Sequence, residues 1–225
     1  TSLRPYELVP LFSYFCLRGR CRTCHSYIPS RYFLVELLTG VLFVGVVLTT
    51  LDVITMFHTL VVVSILVVIA VYDIYHMIIP DELVFALLSV VISNQLYLHI
   101  TGLPLVAFYF NIMSALLASV FLMMLWRISR GTWIGFGDVK LVIPLALSVG
   151  TISVFSMVVL SFWIGAVVGV LILLYQKINI GKQPHLKFIN SSLTIKSAVP
   201  FAPFLILGYL VVLFFEIDVV SLLSY

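Results

Sequence analysis

Charged residues vanish from this chain for whole helix-lengths at a time. No Lys, Arg, Asp or Glu occurs between Asp52 and Asp73, Glu82 and Arg127, Lys140 and Lys177, or Lys196 and Glu216. A bilayer core is crossed by about 20 apolar residues in a helix. The second interval therefore holds two spans, divided near His99 to Pro104, and the third divides near Gly150 and Thr151. With the apolar run that begins at Phe33, the pattern predicts seven spans: residues 33 to 51, 53 to 72, 82 to 99, 104 to 126, 138 to 150, 152 to 176 and 200 to 222, the fifth of them short. The runs are continuously apolar rather than alternating, and in lipid every backbone amide must be satisfied internally, so helices are favoured over a barrel. The expected fold class is an all-α polytopic membrane bundle with a small polar N-terminal segment.

Composition removes the remaining classes. Of 225 residues, 63% are apolar and 9% charged, and the mean hydropathy is +1.24. A water-soluble globular surface cannot be made from such a chain. The net charge of +3 comes from basic residues scattered at segment ends, which argues against disorder and against a nucleic-acid surface. Those basic residues also give the orientation. Arg4, Arg18, Arg20, Arg22 and Arg31 precede the first span; Arg127, Arg130 and Lys140 flank the fourth loop; Lys177, Lys182, Lys187 and Lys196 fill the sixth. All 12 fall on one face of a seven-span chain. By the positive-inside rule that face is cytoplasmic, which places Glu216, Asp218 and Tyr225 outside.

Where charge is this scarce, the acids carry the chemical information. Asp73 closes an apolar helix in Val71-Tyr72-Asp73, and Asp138 opens the fifth span in Gly135-Phe136-Gly137-Asp138 on the same membrane face. A carboxylate at such a depth needs a cavity or a partner. Two that share a site hold one proton between them, which suits a general base acting on water and a general acid protonating a leaving amine. Gly135 and Gly137 lack a Cβ and let backbone or an extended substrate approach Asp138. Each acid has a plainer reading as an interface residue or helix cap. Asp81, in Ile79-Pro80-Asp81-Glu82, reads as the N-cap of the third span and a neighbour of the site. A rival function from another class is a proton- or ion-coupled transporter using the two aspartates as a relay.

Cys21-Arg22-Thr23-Cys24 has the spacing by which two thiolates grip one tetrahedral zinc, but two ligands make half a site. Free thiols or a redox pair are the alternatives, a structural disulfide being disfavoured on a cytoplasmic face. Cys16 lies in an apolar stretch and reads as a small packed hydrophobe.

Taken together, these motifs make the chain resemble the type IV prepilin peptidases, the membrane leader peptidases of the Gly-x-Gly-Asp aspartyl class. The resemblance runs over nearly the whole chain. It rests on Glu7-Leu8-Val9-Pro10 with Ser13-Tyr14, Leu17 through Cys24, Ile28-Pro29-x-Arg31-Tyr32 with Val35-Glu36-Leu37, Asp73 through Ile79-Pro80-Asp81, Gly135 through Leu141, and Val199-Pro200-Phe201-Ala202-Pro203-Phe204-Leu205. It implies two domains, a cytoplasmic cysteine-containing segment over residues 1–32 and a transmembrane aspartyl peptidase domain over 33–225. Asp73 and Asp138 become the catalytic pair, with Gly135, Gly137, Pro80, Asp81 and Lys140 shaping the site. The implied activity removes a basic leader from prepilins or pseudopilins, which carry an apolar N-terminal helix in the bilayer, by cutting after a glycine at the cytoplasmic face of a bacterial inner membrane. Proteolysis would need no cofactor. A structural zinc at Cys21 and Cys24, and S-adenosylmethionine for N-methylation of the new terminus, are further implications. Arg31 and Glu36 could serve that methylation or form a helix-end salt bridge. The family has eight spans and a second Cys-x2-Cys pair, so the resemblance also implies that a first span and two zinc ligands lie outside this sequence.

Overall fold

The computed structural model of the chain describes residue 9, residues 11 to 178, residues 200 to 219 and residue 221. Arg4, Glu7, Leu8, Pro10, Lys182, Lys187, Lys196, Val199, Tyr225 and the side chain of Lys177 lie outside the described residues. Among the described residues eight helices follow in order: α1 (Phe12–Cys16), α2 (Ser30–Thr49), α3 (Val53–His76), α4 (Asp81–Ile100), α5 (Leu105–Ser129), α6 (Phe136–Val149), α7 (Thr151–Ile178) and α8 (Ala202–Phe215). Among the described residues the only β pairing is an isolated bridge between Arg20 and Tyr27. The chain is an all-α membrane helix bundle. Helices α2, α3, α4, α5 and α7 are each long and apolar enough to cross a bilayer.

The remaining two expected spans form shorter helices. Helices α6 and α8 have 14 residues each, about 21 Å of rise, against a hydrocarbon core of about 30 Å. For α8 the stop is visible. Glu216 takes a left-handed conformation at φ 49°, so the helix ends at Phe215 instead of running to residue 222. Helix α6 contains Pro144, whose missing N–H removes one helical hydrogen bond.

The chain divides into two compact units, Thr1–Val67 and Val68–Tyr225. In the first, Tyr14 stacks on Phe33 with ring centroids 5.1 Å apart, and the Leu11 N–H donates to Glu36 Oε2 at 3.0 Å. Arg31 lies with its guanidinium 5.1 Å from the Tyr32 ring centroid. In the second, α6 is central and packs against α4, α5, α7 and α8. Val139, Leu141, Val142, Leu145, Ala146 and Leu147 are all buried. Apart from Asp138, Lys140 and Ser148 the helix is apolar around its circumference, as a central position requires.

Polar side chains fasten this central helix. Ser119 on α5 donates to the Val139 carbonyl at 3.0 Å. At the other end Gln95 on α4 donates to the Leu147 carbonyl at 2.6 Å, a group that the helix terminus leaves without an intrahelical partner. Asn111 on α5 accepts from both the N–H and the hydroxyl of Thr151 at 3.0 and 2.8 Å. The Gly150 turn is thus held by side chains of two neighbouring helices.

Candidate active site

Helix α3 stops one turn beyond Asp73. Met77 adopts φ 53°, and its N–H caps the Asp73 carbonyl at 2.8 Å. The chain then turns through Ile78 and Ile79 to Pro80, which is the N-cap of α4, so Asp81 is the first helical residue. Proline sets φ near the value that a helix start needs. The N-cap expected at Asp81 therefore sits one residue earlier, with no side-chain cap bond. Asp81 is instead free to pair, and its Oδ1 meets the ammonium group of Lys140.

Asp138 lies in the first turn of α6. Its Oδ2 accepts the N–H of Gly135, the N-cap, at 3.0 Å. That is half of a capping box, favourable at the positive end of a helix. Its other oxygen, Oδ1, is buried with no partner. Asp73 repeats the arrangement on a different helix. The backbone N–H of Ala202, the first residue of α8, donates to the Asp73 carboxylate, while Asp73 Oδ2 is buried without a partner. The two short helices thus begin at the two acids.

The side chains converge. Asp73 and Asp138 are 5% and 4% exposed, stand within electrostatic reach of one another, and line a single cavity of about 510 Å³. Gly135, Gly137, Pro80, Asp81 and Lys140 line the same cavity, as do Ile79 and Phe136. A buried polar oxygen without a hydrogen bond is costly. Two of them, on residues that line one cavity, make a place suited to holding water or a polar substrate atom.

The two glycines play different parts. A Cβ on Gly137 would lie 3.0 Å from the Ile79 Cβ and 3.1 Å from its Cγ1 and Cδ1, so the α3–α4 turn rests directly on the α6 backbone. A Cβ on Gly135 would meet Asp138 Oδ2 at 3.3 Å, and its φ of −74° suits any residue. Gly137→Ala is therefore expected to lower kcat/KM about 10- to 100-fold through a displaced turn, and Gly135→Ala to have a smaller effect. Adding Ile79→Val to Gly137→Ala should recover part of the loss. A double-mutant cycle on precursor cleavage measures this coupling, and strictly additive effects would refute the contact as the cause.

Away from this cavity, Cys24 Sγ and Ser26 Oγ are hydrogen-bonded at 2.9 Å. That bond, with help from the neighbouring Cys21, lowers the Cys24 thiol to about 7. The two cysteines therefore adjoin and fit one edge of a tetrahedral site. Among the described residues no group of three His, Cys, Asp or Glu could hold a metal ion, so these residues fit half of a zinc site. Cys16 is exposed rather than packed.

Ile79 lies within the Asp73 to Asp81 run, but neither spacing nor motif reveals its contact with Gly137, or Ser119 and Ala202 as contributors. Ala202 lies within the Val199 to Leu205 run, but nothing local shows that its N–H meets Asp73.

Two family profiles match separate stretches of the chain. A family profile described as Bacterial Peptidase A24 N-terminal domain matches residues 1–50, and one described as Type IV leader peptidase family matches residues 60–170. Curated relatives share the name Prepilin leader peptidase/N-methyltransferase. One from Bacillus subtilis (strain 168) is 29% identical over 168 residues, 75% of this chain and 65% of the relative. One from Myxococcus xanthus (strain DK1622) is 34% identical over 175 residues, 75% of this chain and 50% of the relative. A relative from Burkholderia pseudomallei (strain K96243) aligns over 218 residues at 28% identity, 95% of this chain and 64% of the relative. The chain thus spans about half to two thirds of the length of the relatives it matches. No solved structure matches it.

Proposed function

Since the chain belongs to the type IV leader peptidase family, we propose that it is an aspartic endopeptidase that removes the leader from type IV prepilins or pseudopilins after a glycine. The observation that carries this reading is the pair of buried carboxylates, brought from two different helices into one cavity, each with one oxygen tied to a helix N-terminal N–H and the other unpartnered.

In the proposed reaction Asp73 and Asp138 hold a water between them while sharing one proton. The ionised carboxylate takes a proton from the water as its oxygen attacks the glycine carbonyl carbon. The protonated carboxyl gives its proton to the peptide nitrogen as the C–N bond breaks, and the pair ends the cycle with its single proton on the other acid. The Gly135 and Ala202 amides keep each carboxyl group oriented through this exchange. The substrate's apolar helix lies in the bilayer beside the enzyme, with an extended leader junction entering the cavity. The distribution of basic residues supports a cytoplasmic site in a bacterial inner membrane, with the C-terminus outside. Cys21 and Cys24 would give two thiolates to a structural zinc whose other donors lie beyond the described residues. S-adenosylmethionine would supply the methyl group for any N-methylation of the product, an activity carried in the relatives' name.

An ion-coupled transporter is less well supported. Among the described residues the buried ionisable carboxylates are Asp73 and Asp138 alone, and both lie at one end of their helices, so a relay across the bilayer has no further stations. The deciding experiment reconstitutes the full-length protein in liposomes with a pilin-type precursor and reads the products by mass spectrometry. Cleavage on the carboxyl side of the glycine is expected. An intact precursor beside correctly folded protein would overturn the proposal, and proton flux without cleavage would favour the transporter.

A further inference from the structure

Each aspartate sits on a short, stiff stretch of backbone that ends in a charged partner for the other. From Asp73 the chain runs through the Met77 helix stop and the fixed φ of Pro80 to Asp81. From Asp138 it runs along the first turn of α6 to Lys140, a turn held by the Ser119 bond to Val139. Asp81 and Lys140 then meet as an ion pair. Beneath them the Gly137 backbone rests on Ile79, and the Lys140 ammonium lies 5.3 Å from the Phe136 ring centroid.

We propose that the Asp81–Lys140 ion pair is a strut that sets the separation of the two acids, and that Lys140 is a positioning residue rather than one that binds substrate. This rests on the peptidase reading above. Contact at Gly137 and Ile79 stops the two segments from moving closer, and the ion pair stops them from moving apart. A separation bounded on both sides is what one water shared between two carboxylates requires, since a misplacement of about 1 Å can cost about 100-fold in rate. The side chains of Lys140 and Asp81 are 33% and 55% exposed. Pairs this exposed add little to global stability, so the strut can be broken without unfolding the bundle.

Charge exchange separates positioning from substrate contact. The full-length protein in liposomes is prepared as D81K, K140D and the double exchange, and assayed on a pilin-type precursor. Each single variant is expected to lose roughly 10- to 100-fold in kcat with KM changed less than about threefold, and the double exchange to regain most of that loss. Should the double exchange be no better than the worse single variant, or should the single variants cleave like the parent, the strut is refuted; the first result would mean that Lys140 or Asp81 touches substrate directly. Hydrogen exchange gives a reading independent of cleavage. Peptides covering residues 77–84 and 135–141 are expected to exchange faster in each single variant and to return towards the parent in the double exchange, with α7 unchanged. If the parent itself cleaves no precursor, the peptidase reading fails, and exchange alone decides the strut. Unaltered exchange in the single variants would then refute it.

Discussion

Replacing Asp138 with Asn is expected to abolish precursor cleavage while leaving the bundle folded and no less stable to heat. The two parts of that result come from different oxygens of the same side chain. Oδ2 is a structural acceptor for the N–H of Gly135, the N-cap, and an Asn carbonyl can accept the same bond, as amide side chains do at this position of a capping box. Oδ1 is buried without a partner beside Asp73. An amide there can neither carry the shared proton nor accept one from water. General acid–base roles are worth about 10²- to 10⁴-fold each, so a loss of at least about 10³-fold is expected for Asp138→Asn and equally for Asp73→Asn. The double variant should be little worse than either alone, since groups acting as one unit are not additive. If Asp138 were only a helix cap, Asn would preserve activity. Substantial cleavage by either single variant, with thermal unfolding confirming the fold, would end the two-acid mechanism.

The carboxylate pair was legible in the sequence because membrane chains carry so little charge that each acid in a span stands out. Counting spans predicts one face for Asp73 and Asp138, and the two line one cavity. Each of the seven apolar runs forms a helix, α2 to α8, but only α2, α3, α4, α5 and α7 are long enough to cross a bilayer, and α6 and α8 stop short. What could not be read were contacts made across long sequence separations. Lys140 follows Asp138 closely but reaches back to Asp81 at the start of another helix, and no periodicity encodes that meeting. Asp81 was misplaced by one residue for a related reason: its carboxylate looked like a local cap, whereas Pro80 fills the cap position and leaves the acid to a distant partner. The Ala202 N–H at Asp73 is less visible still, because a backbone amide has no sequence signature and is aimed only by the helix that begins there.

That aim depends on how α8 is seated, and Gly208 is where its seating can be broken. A Cβ on Gly208 would overlap Ser161 Oγ and lie 2.6 Å from the Met157 carbonyl and 3.0 Å from the Ser161 nitrogen. Two of those atoms are backbone of α7, so the clash cannot be relieved by turning a side chain. Close helix crossing through small residues is how membrane helices gain packing without a hydrophobic drive. In a helix interior Ala is intrinsically better than Gly by about 0.8–1 kcal/mol, whereas overpacking costs about 1–3 kcal/mol and occasionally more. With backbone atoms at these distances the second effect should win. Gly208→Ala is therefore expected to lower the unfolding temperature in detergent by several degrees, with Gly208→Leu worse. Gly169→Ala on α7 is the control, since nothing lies within 4 Å of its added Cβ, and it should match or slightly exceed the parent. Because the Ala202 N–H is carried on the same helix, the cleavage rate of Gly208→Ala should fall further than its folded fraction does. A Gly208→Ala protein as stable and as active as the parent would show that α7 and α8 do not cross this closely.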